Sequence, residues 1–171
     1  MDALEEFKNG VKEQLAALRV MLTTADSPVK QVRAMAIFQT DDRQLHIVFI
    51  PDESDNSLVA KILLHFNTQF GATRLYLLSE AWVISRDKPP LTSDRPPREC
   101  EDRREVLLCF AVDRYAGMVR ADQEIHRNPD GSPFFTGEPY VCVVPEHAIP
   151  SSFPTKSQLW PNAQDSAIRI N

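Results

Sequence analysis

The chain has 171 residues, 43% apolar and 25% charged, with a formal net charge of −5, which suits one hydrophobic core and argues against global disorder. The acid excess counts against nucleic acid as a partner, because phosphate binding requires clustered positive charge. Three cysteines, Cys100, Cys109 and Cys142, lack C-x-x-C spacing and indicate neither a zinc knuckle nor a disulfide framework.

Residues 2–22 read as an amphipathic helix. Leu4, Phe7, Val11, Leu15, Leu18 and Leu22 recur at intervals of three and four, while Glu5, Glu6, Lys12 and Glu13 face away. Asp2 followed by Glu5 resembles a capping box, and Gly10 inside the pattern costs about 1 kcal/mol relative to alanine. The stripe would serve as a dimer seam, but packing on the chain's own sheet is the simpler expectation. The first residues, Met-Asp-Ala-Leu-Glu-Glu, are acidic where a signal peptide is basic and then continuously apolar, so a cytoplasmic setting is expected. No stretch reaches the ~20 apolar residues of a membrane span.

Residues 29–39 and 44–50 form a hairpin pattern across Thr40, Asp41, Asp42 and Arg43. In its second strand His46 shares a face with Val48 and Ile50, a setting more usual for a packed histidine than for a catalyst. Pro51 ends the strand, and residues 52–56 offer N-caps for a helix running to Phe70, closed by Gly71. Leu58, Val59, Ile62, Leu63, Phe66 and Phe70 make its apolar stripe, with Lys61, Asn67 and Thr68 expected outside and His65 at the margin.

Residues 74–86 alternate with a period of two, and both faces are largely apolar. This predicts the central strand of a sheet covered on two sides, with Glu80 between Leu78 and Trp82 on one face. Residues 87–102 contain four prolines and mixed charge, which excludes regular structure and suits a lid or a partner-binding loop as well as a plain connection. Arg95, Arg98, Arg103 and Arg104 lie among Asp94, Glu99, Glu101, Asp102 and Glu105, which cancel them.

Residues 104–113 return as a doubly apolar strand, in which Cys109 is a buried, inert thiol. Residues 118–127 form a two-faced strand, with Val119, Ala121 and Ile125 opposed to Arg120, Asp122, Glu124 and His126. Asn128, Pro129, Asp130 and Gly131 are turn chemistry, and residues 140–144 add a short strand. The expected division is an α+β domain over residues 1–144 and a Pro-rich tail over 145–171. The tail's Phe153, Leu159 and Trp160 would anchor it to the domain or to a partner.

The chemistry-bearing residues are Glu80, Glu105, Asp122, Glu124 and His126, which adjacent strands would bring together in part. Carboxylates beside a histidine hold divalent metals or move protons, because burial and like charge separate their pKa values. Glu80 and His126 are therefore the candidate catalytic pair, with His46 the alternative histidine, in a small hydrolase or metal-dependent enzyme. Against this stands a purely structural ion pair of Glu80 with an arginine such as Arg104, Arg120 or Arg98. No H-E-x-x-H, P-loop, dinucleotide fingerprint or G-x-S-x-G is present, and no cofactor is expected.

Ser79-Glu80-Ala81-Trp82, followed across the Pro-rich loop by Arg104-Glu105-Val106, resembles a set of small uncharacterised bacterial and phage-encoded α+β proteins. The likeness spans residues 72–113. It implies a bacterial or phage origin and assigns no catalytic residue.

The expected fold is α+β: helix, β-hairpin, helix, then an antiparallel meander of three or four strands, with both helices packed on one face. The expected function is a non-catalytic cytoplasmic accessory protein. It would bind a protein partner or a second copy through the sheet edge, the Pro-rich loop or the tail.

Overall fold

The computed structural model describes residues 2–24, 31–84 and 103–162. Among the described residues three α-helices occur, α1 (Ala3–Thr24), α2 (Asn56–Phe70) and the single turn α3 (Lys156–Leu159). The strands are β1 (Met35–Gln39), β2 (Leu45–Phe49), β3 (Arg74–Ile84), β4 (Arg103–Asp113), β5 (Gly117–Arg127), β6 (Pro133–Phe135) and β7 (Tyr140–Val143). They form one antiparallel sheet in the order β2-β1-β3-β4-β5-β6, with β7 also paired to β5. The expected helix, hairpin, helix and meander are all present, and β6 is an addition.

The helices take opposite faces of the sheet, where the sequence pattern suggested one. Phe7, Val11, Leu15, Leu18 and Leu22 of α1 pack with Tyr76, Leu78, Leu107, Cys109 and Ala121. Leu63 of α2 packs with Ala36, Phe38, Leu75 and Val112 on the other side. The cause lies in β3 itself: Tyr76 and Leu78 point one way, Leu75 and Leu77 the other, and both sets must leave water. Each large apolar side chain fully buried this way contributes about 1.5–3 kcal/mol. The α1 stripe is thus covered by the chain's own sheet.

Asp55 caps α2, its carboxylate accepting from the Leu58 N–H at 2.7 Å, and Gly71 closes the helix at φ 64°, a conformation glycine enters without a Cβ clash. Asn67 is buried instead of outside, because the C-terminal segment docks on that flank of α2. Its Nδ2 donates to Leu159 O at 2.9 Å, and the Trp160 indole N–H donates to Ala72 O at 2.7 Å. Phe153, Leu159 and Trp160 are buried in the core on the α2 side.

The Pro-rich loop, residues 87–102, lies outside the described residues, as do the last two residues of the strand expected over 74–86. Among the described residues no helix is long and apolar enough to cross a membrane.

Candidate functional site

Glu80 and Glu105 come together on the α1 face because β3 and β4 run antiparallel with Glu80 opposite Leu107 and Trp82 opposite Glu105. The tight turn before β5 brings Glu124 opposite Val106, which sets the end of β5, and so Arg127, beside the same pair. Arg127 Nε donates to Glu105 Oε2 at 3.1 Å, and its Nη2 donates to Glu105 Oε1 and, at 3.2 Å, to Glu80 Oε2. The guanidinium grips Glu105 with two nitrogens, the fork geometry that makes such pairs strong. Its Nη1 donates to Gly131 O at 3.3 Å, and the Val32 backbone N–H donates to Glu80 Oε2 at 3.1 Å.

The side chains of Glu80 and Glu105 are only 14% and 8% exposed. Burial pushes the Glu80 carboxyl above its ordinary range, helped by the neighbouring Glu105 and only partly opposed by the Val32 N–H and Arg127. Burial pushes Glu105 upward too, but the Arg127 hydrogen bonds outweigh it and hold that carboxyl below its ordinary range. Together the three side chains form an ion-paired clamp that ties the ends of three strands.

The histidines lie elsewhere. His126 alternates with Arg127 and so points to the opposite face, where its Nε2 meets Thr136 Oγ1 at 2.9 Å and its ring stacks on Phe134. His46 stacks on Phe70 with ring centroids 4.2 Å apart, also on the α2 side, and β1, β3 and β4 separate its strand from that of His126. The expected constellation therefore divides: Glu80 and Glu105 on one face, Asp122, Glu124 and His126 on the other. Neither His126 nor His46 shares a face with Glu80. Among the described residues no group of three or more His, Cys, Asp or Glu side chains is placed to hold a metal ion.

An arginine pairs Glu80, as expected, and among the described residues it is Arg127 and not Arg104 or Arg120. Arg104 pairs with Glu124 at 3.4 Å and Arg120 with Asp122 at 3.2 Å, both on the opposite face, while Arg98 is outside the described residues. The signal for Arg127 was in the parity of its strand, since it shares a face with Ile125 and Ala121. Trp82 is exposed at the sheet end, where the Arg103 guanidinium lies 4.8 Å from its ring centroid.

A second feature is the outer edge of the sheet. β2 is the terminal strand, and its outer side carries no strand among the described residues. Leu45, Ile47 and Phe49 are 47%, 56% and 61% exposed, all on one face. Asp41 and Asp42 precede the strand, and Asp52, Glu53 and Asp55 follow it.

Comparison with protein-family models, with curated proteins and with solved structures finds no match.

Proposed function

We propose that this chain is a non-catalytic interaction protein that takes up an extended segment of another protein along β2. The observation that carries the reading is the run of Leu45, Ile47 and Phe49, three successive side chains on one face of a terminal strand, each about half exposed. Free strand edges are normally shortened, charged or covered, because they template pairing with other chains. Strand addition satisfies the backbone groups of such an edge and lets alternate side chains select the incoming segment.

The charges flanking β2 select among occupants. Both ends carry net negative charge, so a segment with apolar residues at alternate positions and Lys or Arg on either side is complementary. A second copy paired antiparallel about Ile47 would set the Asp41–Asp42 end of one strand against the Asp52–Glu53 end of the other. That arrangement places acid against acid.

The test uses a synthetic peptide of alternating valine and threonine with paired lysines at both ends. Amide chemical-shift changes confined to β1 and β2, abolished by Ile47→Lys without loss of thermal stability, are expected. Shifts elsewhere, or a concentration-dependent dimer through β2 in place of peptide uptake, would overturn the reading. Thermal melting with divalent metals adds an independent check: metal stabilising the wild type but not Glu80→Gln would restore the enzymatic alternative.

A further inference from the structure

A hollow opens far from the Arg127 clamp, at the end of the sheet where β4 turns into β5. The Asp113 carboxylate closes that turn by accepting from the Tyr115 and Ala116 N–H groups, each at 2.7 Å. After β7 the Val144 N–H continues the pairing with β5 by donating to Met118 O at 3.0 Å, and the chain then passes through a 3-10 turn at Glu146–Ala148. The Trp160 indole, bonded to Ala72 O, pins the far end of this strap. A cleft of about 1030 Å³ remains between the turn and the strap, a size that suits a small organic molecule.

Its lining has two parts. Val112, Met118, Val144, Ile149 and the Trp160 ring make an apolar interior, and the half-exposed Val143 borders it. Arg114, His147 and Lys156, with the hydroxyls of Thr155 and Ser157, make a polar rim, and Glu146 is its one acid. A cationic rim is conspicuous in a chain with a net charge of −5. Arg114 Nε is buried and has no hydrogen-bond partner among the described residues. The guanidinium lies 5.6 Å from the Tyr115 ring centroid and forms no ion pair among the described residues. Lys156 likewise has no carboxylate partner there.

Arg114 and Lys156 thus border the cleft as cations with no carboxylate partner among the described residues, and an anionic group held there would pair them. We infer that the cleft binds an organic anion: an oxyanion head on Arg114 and Lys156, carried by an apolar, ring-bearing body that lies against Trp160 and Met118. Arginine suits the head because its fork of donors matches a planar or tetrahedral oxyanion. The apolar walls supply the remaining affinity and exclude bare inorganic anions as good ligands.

The probe is 1-anilinonaphthalene-8-sulfonate, an aromatic sulfonate of this chemical form. In a Trp82→Phe background Trp160 is the sole indole, so energy transfer from it to the bound dye reports occupancy of this cleft. Saturable transfer is expected, with Kd raised at least tenfold in the Arg114→Gln/Lys156→Gln pair and unchanged in Ile47→Lys. The uncharged analogue N-phenyl-1-naphthylamine should bind at least tenfold more weakly and ignore the pair of substitutions. Should the paired variant melt early, Lys156→Gln alone, on an exposed side chain, with a salt titration, makes the same comparison. Equal affinity for the charged and uncharged dyes, or binding lost in Ile47→Lys and kept in the paired variant, would overturn the inference.

Discussion

Arg127 Nη2 donates to Glu80 Oε2 at 3.2 Å across 47 residues of sequence, so the last residue of β5 holds the carboxylate of a strand two places away in the sheet. Glu105 lies between them and takes the rest of the guanidinium. Removing the cation leaves two buried carboxylates facing each other, and Arg127→Leu is expected to cost about 2–4 kcal/mol at pH 7. The loss should shrink in acid as the pair takes up a proton. Urea denaturation at pH 7 and pH 4 measures both.

The two carboxylates are expected to respond oppositely to pH. Glu105 is held below its ordinary value of 4.5, so its contribution is present above that value and lost as pH falls through the lower, folded one. Glu80 is held above 4.5, so its contribution is present below that value and lost as pH rises through the higher, folded one. Glu105→Gln should therefore cost about 1–3 kcal/mol at pH 7, while Glu80→Gln should change stability by less than about 1 kcal/mol. Matched denaturation curves for the two variants check this. A larger loss for Glu80→Gln would contradict the assignment.

Gly10 sits inside α1 with its Cα facing Tyr76, and a Cβ built there lies 3.6 Å from the Tyr76 hydroxyl, an ordinary contact. Alanine gains helix propensity at no steric cost. Gly10→Ala is expected to stabilise the fold by about 0.5–1 kcal/mol, read as a shift in the denaturation midpoint at constant slope.

Trp160→Phe keeps most of the buried ring but removes the donor to Ala72 O, leaving a carbonyl unpaired in the core. A loss of about 1–2 kcal/mol is expected. Because that bond also pins the strap, limited proteolysis should cut the variant between Val144 and Leu159 faster than the parent.

The Cys109 thiol is fully buried, and burial pushes it up to about 12, whereas Cys142 is half-buried in β7, opposite Arg120 of β5. In a Cys100→Ser background one thiol should react with an aromatic disulfide reagent in the native state. The second should react only after denaturation.

The elements of this chain were legible because their patterns are local. The stripe from Phe7 to Leu22, the Asp55 and Gly71 caps of α2, and the two apolar faces of β3 follow from side-chain period and backbone chemistry within a few residues. A paired Glu80 was also foreseeable, since a carboxylate in an apolar strand requires a cation. Its partner was not, because pairing depends on register: a tight turn at Arg114–Ala116 carries Arg127 to one face and sends His126 to the other.

The tertiary structure alone decided how the two faces are covered and what remains open. Periodicity marks a helix as half-buried but does not say which side of the sheet will receive it, so α1 and α2 were separable only once β3 demanded cover on both sides. Asn67 read as a surface residue until the C-terminal strap, 92 residues later, laid Leu159 O against its amide. Local sequence determines which groups must leave water. Which groups meet there depends on contacts between distant segments, and these arise only when the whole chain has packed.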